Sequence, residues 1–432
     1  MRRFVLSLAA VLVTAATCVP GVGAQSLNNC STTSQNRYVY DVMRDLYYWN
    51  TTLPSVNAAS YPSPEALLEA LRHRPLDERF SYIGSRASEE AFYSDSQFIG
   101  FGFANGYDGR GLRILQVFPD SPAAEVGLQR GDRIVSINGQ SVEALLAADG
   151  LGAALGPSQE GYAISVRYER MDGASVDARM TKRAVTIPTV SYLNLYEIDG
   201  KKIAYLFFRN FVEPSRAALD EAFNALRDVG ATELVLDLRY NGGGMVAIAQ
   251  HLASLIGGTR TEGQVFAEYF HNERNAFRNE ITRFEAKPNA LRLDRLVVVT
   301  TRSSASASEL VINALRPFLP VVTVGDTSYG KPVGQYGVTF CDKVLYPVAF
   351  TLRNANGQGD FFDGIAADCL AGDDWDRQLG DVQEASLAEA LHVIRTGQCS
   401  APTLSALQRR RAATRADVLP PRRGLEQLIG AH

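Results

Sequence analysis

The chain has 432 residues, of which 46% are hydrophobic and 21% charged, with a formal net charge of -4. That length is too great for one ordinary core, so two or three domains are expected, in an ordinary soluble globular protein. The near-neutral balance gives no global electrostatic reason to expect nucleic acid as a partner.

Arg2 and Arg3 precede a short apolar run, Phe4 to Val13, and a small-residue stretch ending at Val22-Gly23-Ala24. This order is that of a secretory signal peptide over residues 1–24, so the mature chain starts at Gln25 and is exported, periplasmic or secreted. The run is too short for a comfortable membrane span, and no other segment has the length and apolarity for one. Cys18 follows Val13-Thr14-Ala15-Ala16-Thr17, a poor lipobox because Thr17 is larger than the usual small residue, so lipidation is not expected. Residues 25–95 read as a helical region. Tyr40, Met43, Leu46 and Tyr47 recur at helical spacing, and Pro64-Glu65-Ala66-Leu67-Leu68 starts a second helix with proline in its first turn.

From residue 96 to 182 the texture changes to short strands and glycine turns. Ile99-Gly100-Phe101-Gly102-Phe103 opens the region, followed by Val117-Phe118-Pro119-Asp120-Ser121-Pro122-Ala123-Ala124 and by Gly127-Leu128-Gln129-Arg130-Gly131-Asp132-Arg133-Ile134-Val135-Ser136-Ile137-Asn138-Gly139. The latter stretch closely resembles a PDZ domain, and the opening one resembles its carboxylate-binding loop. Gly100 and Gly102 would let backbone N–H groups converge on a terminal carboxylate. Phe101 and Phe103 would border a pocket for the last apolar side chain, while the peptide adds as a strand. A glycine-kinked hairpin is the bland alternative. The groove helix is placed at Val142 to Leu155.

Over residues 183–399 the pattern becomes strand–helix–strand. Ile203 to Phe207, Glu233 to Asp237 and Leu296 to Thr300 read as buried strands, alternating with helices over Ala217 to Arg227 and Met245 to Leu255. Such alternation indicates an α/β core with a largely parallel sheet. Thr300-Thr301-Arg302-Ser303-Ser304-Ala305-Ser306-Ala307-Ser308-Glu309-Leu310 then joins a strand to a helix through small residues. A turn of this kind can hold a nucleophile at a sheet's carboxyl edge, with the helix's free N–H groups aimed at a developing oxyanion. A serine-rich helix cap would look the same.

The segment Ser328-Tyr329-Gly330-Lys331-Pro332-Val333-Gly334-Gln335 shifts that balance. Lys331, between glycine and proline, does not belong in a helix. The five histidines, His73, His251, His271, His392 and His432, offer no recognisable triad member. A lysine replaces histidine as general base only when neutral, which requires desolvation and no adjacent carboxylate. Gln335, four residues on, can orient the amine without adding negative charge. A third element, Leu236-Asp237-Leu238-Arg239-Tyr240-Asn241-Gly242-Gly243-Gly244, ends a strand in glycines that permit close approach of a carbonyl. It matches neither nucleotide-binding glycine pattern. Asp237 and Arg239 read as structural partners.

These motifs together resemble the carboxy-terminal processing (tail-specific) serine peptidases. The resemblance runs from about Tyr38 to Arg395, including Asp363-Gly364-Ile365 and Leu379-Gly380-Asp381. It implies a ClpP/crotonase-like α/β peptidase core with an inserted PDZ-like domain and a helical N-terminal region. It makes Ser306 the nucleophile, Lys331 (25 positions later) the base and Gln335 its partner. It also implies an oxyanion hole formed by Ala307 with an N–H from Gly242 or Gly243. Pro332 departs from the glycine common in the family. Glu309 is the second candidate for orienting the lysine. No cofactor or metal is implied, and the partners are protein or peptide substrates.

Cys30, Cys341, Cys369 and Cys399 can form two disulfides in three pairings, among them Cys341 with Cys369 and Cys30 with Cys399. Residues 400–432, with Arg409, Arg410, Arg411, Arg415, Arg422 and Arg423, read as a basic, solvated, mobile tail; contact with an anionic surface such as a membrane is the second reading. The leading expectation is an exported Ser/Lys endopeptidase recognising C-terminal or unfolded apolar segments. Its competitors are a catalytically inactive PDZ adaptor of the cell envelope and a non-peptidase serine hydrolase.

Overall fold

A computed structural model describes residue 27, residues 29–401 and residues 424–432. The segment read as a signal peptide, Cys18 and the six arginines of the basic tail lie outside the described residues. No helix among the described residues is long and apolar enough to cross a membrane.

The core is a six-stranded sheet. Val190–Ile198 runs antiparallel to Lys201–Phe208, and Glu233–Asp237, Leu296–Thr300, Val321–Gly325 and Cys369–Leu370 follow in parallel. Side chains alternate across a strand, so Lys201–Phe208 divides its apolar residues between two layers. Ala204, Leu206 and Phe208 pack beneath the helices Ser215–Asp228, Val246–Gly257 and Ala307–Leu315. Ile203, Tyr205 and Phe207 pack against Leu387, Leu391 and Ile394 of the helix Ala385–Thr396. Both faces are therefore covered, which explains why these strands read as continuous apolar runs. The parallel strands end at one edge of the sheet, where the chain leaves Asp237 for the glycine cluster, Thr300 for the serine run and Gly325 for the lysine loop.

Two smaller units frame that edge. The N-terminal helices Thr32–Leu46 and Pro64–Leu71, each capped by a serine hydroxyl (Ser31 and Ser63), bury Val39, Val42, Met43 and Leu67 against Val333, Leu345 and Val348. The helical region thus backs the short strand Val333–Gln335 that follows Lys331. The PDZ-like unit enters through Gln97–Gly100 and leaves through Arg183–Thr186, which pair antiparallel. Its sheet contains Phe103–Tyr107, Leu112–Val117, Arg133–Ile137, Ala163–Glu169 and Ser175–Thr181 around a separate apolar core. The expected continuous helix over Val142 to Leu155 is instead two, Val142–Ala147 and Leu151–Leu155. Asp149 at φ 51° interrupts it, a left-handed turn before Gly150 that a continuing helix cannot accommodate.

The disulfides are Cys30–Cys341 and Cys369–Cys399, so neither pairing spelled out from the sequence forms. Helix packing decides the outcome. Thr32–Leu46 seats Cys30 beside the hairpin that contains Cys341, while Ala385–Thr396 crosses the sheet and returns Cys399 to Cys369. The tail reading also needs correction at its end. Gly424–Ile429 is helical, and Leu425, Leu428 and Ile429, spaced to share one face, pack on Phe92, Phe98, Phe118 and Val185.

Asp237 and Arg239 are structural partners. The fully buried Arg239 guanidinium contacts Asp237 at 2.8 Å, Asp373 at 2.9 Å and Glu384 at 2.8 Å, and the Tyr205 hydroxyl donates to Asp237 at 2.8 Å. Burial opposes ionisation of Asp373, but the Arg130 and Arg239 guanidinium groups prevail and hold its carboxyl at about 2. Removing one partner of such a cluster strands the remaining charges in the interior. Arg239→Met should therefore cost about 3–5 kcal/mol of stability, measured by denaturant unfolding; a loss below about 1 kcal/mol would show that the three carboxylates find other partners.

Candidate active site

Three loops meet at the carboxyl edge of the sheet around a cavity of about 280 Å³. Ser306, Ala307, Lys331, Gln335 and Gly244 line it, together with Met245, Val246, Leu310, Phe350, Leu352 and Phe361. The wall beside the polar residues is accordingly apolar.

Hydrogen bonding separates the serines of the run. The Ser304 hydroxyl donates to the Leu238 carbonyl at 2.8 Å and the Ser308 hydroxyl to the Asn241 carbonyl at 3.0 Å; both side chains are fully buried. Each ties the turn to the glycine-cluster loop. Ser306 alone of the three faces the cavity, at the start of the helix Ala307–Leu315. Its φ of 56° and ψ of -113° lie outside the regions favoured by L-residues, a strained turn held by its surroundings.

Glu309, one turn into that helix, supplies much of the holding. Its buried carboxylate accepts from the Ser306 and Lys331 amides at 2.9 Å each, from the Gly330 amide at 2.7 Å and from the Ser328 hydroxyl. Burial pushes its pKa up against these four donors. Glu309 thus grips the backbone of the lysine loop and does not orient the amine, as the second sequence reading had it.

The orienting contact comes from Gln335. Lys331 Nζ donates to Gln335 Oε1 at 2.6 Å, while Gln335 Nε2 donates to the Phe80 and Tyr346 carbonyls at 2.8 Å each. Two carbonyl acceptors require the amide NH₂ on their side, which leaves the amide oxygen facing the lysine. Desolvation lowers the Lys331 pKa from 10.5 to about 8, against the opposing pull of Asp77, Glu309 and Glu89. Asp77 is occupied by the Tyr47 and Ser81 hydroxyls and by two backbone amides. Burial pushes Glu89 up to about 7, partly offset by hydrogen bonds from Tyr82 and Tyr346. Among the described residues no hydrogen bond joins the Ser306 hydroxyl to Lys331; the two share the cavity.

The expected oxyanion donors divide. Ala307 lies at the helix N-terminus, on the cavity wall. Gly243 packs directly on the serine turn, since a Cβ there would sit 2.8 Å from Ser306 Cβ, and its φ of 101° suits glycine. However, its N–H donates to Asn241 Oδ1 at 2.9 Å and is not free for a substrate. Asn241 is a residue that the sequence reading missed. Its carbonyl also accepts from the Ala305 amide and its side-chain NH₂ donates to the Phe208 carbonyl. An Asn two residues before a glycine in a turn is a readable side-chain-to-backbone signal. The cavity-lining Gly244 was likewise not singled out.

The PDZ-like unit seats on this loop. Arg130 donates to the Tyr240 hydroxyl at 2.9 Å and to the Leu115 carbonyl at 2.7 Å, and pairs with Asp373 at 2.9 Å. Of the residues expected to grip a peptide end, Gly102 and Phe103 donate their amides to the His432 carbonyl oxygen, at 2.7 Å and 3.2 Å. The Phe101 and Phe103 rings are fully buried in the PDZ-like core.

Fold and site together define a PDZ-bearing α/β protein of the serine-peptidase type. Residues 202–370 match peptidase family S41, residues 34–82 match the peptidase S41 N-terminal domain, and residues 113–158 match a PDZ domain. The chain belongs to peptidase family S41. It is 23% identical over 359 residues to the carboxy-terminal-processing protease of Bartonella bacilliformis, covering 80% of this chain and 78% of that protein. It is 28% identical over 252 residues to the carboxy-terminal processing protease CtpB of Bacillus subtilis, covering 57% of this chain and 50% of that one. Against carboxyl-terminal-processing peptidase 1 of Arabidopsis chloroplasts it is 29% identical, over 55% of this chain and 48% of that one. The matched segment thus spans about half the length of the Bacillus and Arabidopsis relatives. In three dimensions the chain superposes on an S41 protease structure from Bacteroides fragilis with a TM-score of 0.67 at 24% identity, covering 83% of this chain and 97% of that one, which shows the shared fold.

If Gln335 fixes the amine, Gln335→Ala should lower kcat by about ten- to a hundredfold while KM moves little, as expected for lost orientation. A KM effect alone, measured on a fluorogenic peptide, would assign Gln335 to binding instead.

Proposed function

We propose that this protein is an exported serine endopeptidase that cleaves polypeptides by a Ser306–Lys331 dyad and captures C-terminal or unfolded apolar segments through its PDZ domain. One observation carries the reading: a desolvated lysine, held by a neutral amide, lines the same cavity as a strained serine at a helix N-terminus. Its core is taken to be of the ClpP/crotonase type, with the PDZ domain inserted. The family membership and the relatives named above support this reading, and the two disulfides favour an oxidising compartment.

In the acylation step, neutral Lys331 Nζ takes the hydroxyl proton as Ser306 Oγ bonds to the scissile carbonyl carbon. The carbonyl oxygen becomes anionic beside the helix N-terminus, where the Ala307 amide, with that of Gly242, can stabilise it. The Lys331 ammonium then returns the proton to the leaving amine as the C–N bond breaks, and water attacks the acyl-enzyme by the same route. The apolar wall of Met245, Leu310, Phe350 and Leu352 favours an apolar side chain next to the scissile bond.

Casein should be digested by the purified protein and left intact by Ser306→Ala and by Lys331→Ala. Undiminished digestion by either variant would remove the dyad; no digestion by any form would favour a binding protein. Because the base works only when neutral, kcat/KM should fall about tenfold per pH unit below pH 8, where Lys331 is protonated. A profile flat from pH 5 to 9 would exclude Lys331 as the base.

A further inference from the structure

The segment Gly424–His432 occupies the two places that a substrate needs. At its far end, the His432 carbonyl oxygen accepts from the Gly102 amide at 2.7 Å and the Phe103 amide at 3.2 Å, while the His432 amide donates to the Phe103 carbonyl at 2.8 Å. This is one rung of strand addition on the loop that resembles a carboxylate-binding loop. The approach is close enough that a Cβ on Gly100 would sit 2.8 Å from the His432 carbonyl carbon. Four residues earlier, Leu428 lines the cavity that holds Ser306 and Lys331. The backbone there lies on the glycine cluster: a Cβ on Gly242 would meet the Gln427 carbonyl oxygen at 2.7 Å and Leu428 Cα at 2.9 Å. Between these ends, the Ile429 carbonyl accepts from Arg209 at 2.6 Å, and Leu428 and Ile429 are 7% and 8% exposed.

We infer that residues 424–432 are an intramolecular ligand of the PDZ carboxylate-binding loop that also covers the glycine cluster, so that an external polypeptide enters only by displacing them. The displacing ligand shares their chemistry: an end that adds as a strand on Phe103, with apolar residues three and four positions earlier. A ligand carried on the same chain competes at an effective concentration that reaches roughly millimolar, so a free peptide of similar affinity is strongly excluded. The effect on proteolysis rests on the peptidase reading above; the occupancy itself does not.

The test uses fluorescein-labelled Gly-Leu-Glu-Gln-Leu-Ile-Gly-Ala-His and fluorescence anisotropy, with Ser306→Ala throughout to prevent turnover. The chain lacking residues 424–432 should bind the peptide at least about tenfold more tightly than the chain that retains them. Equal binding by the two chains, or none by the shortened one, would overturn the inference. Should the shortened chain fail to fold, the 432-residue chain with Leu428→Asp and Ile429→Asp takes its place; it should bind like an emptied site, and behaviour like the unmodified chain would overturn the inference. Casein digestion by the Ser306 forms separates the two readings. The shortened or doubly substituted chain should digest several-fold faster, whereas peptide binding without digestion by any form would sink the peptidase reading and leave the occupancy standing.

Discussion

The buried carboxylate of Glu309 is the constraint on which the site depends. It sits where the serine turn and the lysine loop, which leave different strands of the sheet, come together, and it accepts hydrogen bonds from both. A buried carboxylate is tolerated only with its acceptor sites filled, and each charge-assisted bond contributes about 1.5–3 kcal/mol. The two loops are therefore fixed by the same group: displacing either leaves a desolvated charge short of donors. A turn as strained as that at Ser306 persists under such over-determination.

The lysine's charge state has a similarly distributed origin. Gln335 faces Lys331 with its oxygen because its NH₂ is claimed by carbonyls of Phe80 and Tyr346, one from the N-terminal region and one from the hairpin of the core. The helical N-terminal region, remote from the nucleophile in sequence, thereby acts on the amine. The PDZ domain reaches the opposite side of the site through Arg130, which joins Tyr240 and Asp373. Asp373 also pairs with Arg239, so the seating of the PDZ domain and the ion cluster beneath the glycine loop share a carboxylate.

Much of this was legible in the sequence. The strands Glu233–Asp237 and Leu296–Thr300 are buried on both faces and carry the apolar runs 234–236 and 296–299. Lys331 and Gln335 stood out as a lysine between glycine and proline, four residues from a glutamine, whereas the choice of Ser306 among the serines came from the family resemblance. What escaped were contacts decided by packing between distant segments. No local pattern tells Cys30 that its partner lies 311 positions away. The claim of Asn241 on the Gly243 amide was within reach, since asparagine before a glycine turn commonly bonds two residues on. The end of the chain was misjudged for a different reason: six arginines dominated the composition, while Leu425, Leu428 and Ile429 already carried the spacing of one helical face.

The Cys369–Cys399 bridge has a bearing on how the molecule keeps to itself. Cys369–Leu370 contributes only two residues to the margin of the main sheet, and Leu370 is 42% exposed. Beyond it the backbone donors and acceptors of Val321–Gly325 would form an open template for a strand from another molecule. The disulfide to Cys399, just past the helix Ala385–Thr396, pins this short strip in place, so Val324 and Gly325, the two residues it pairs with, stay covered.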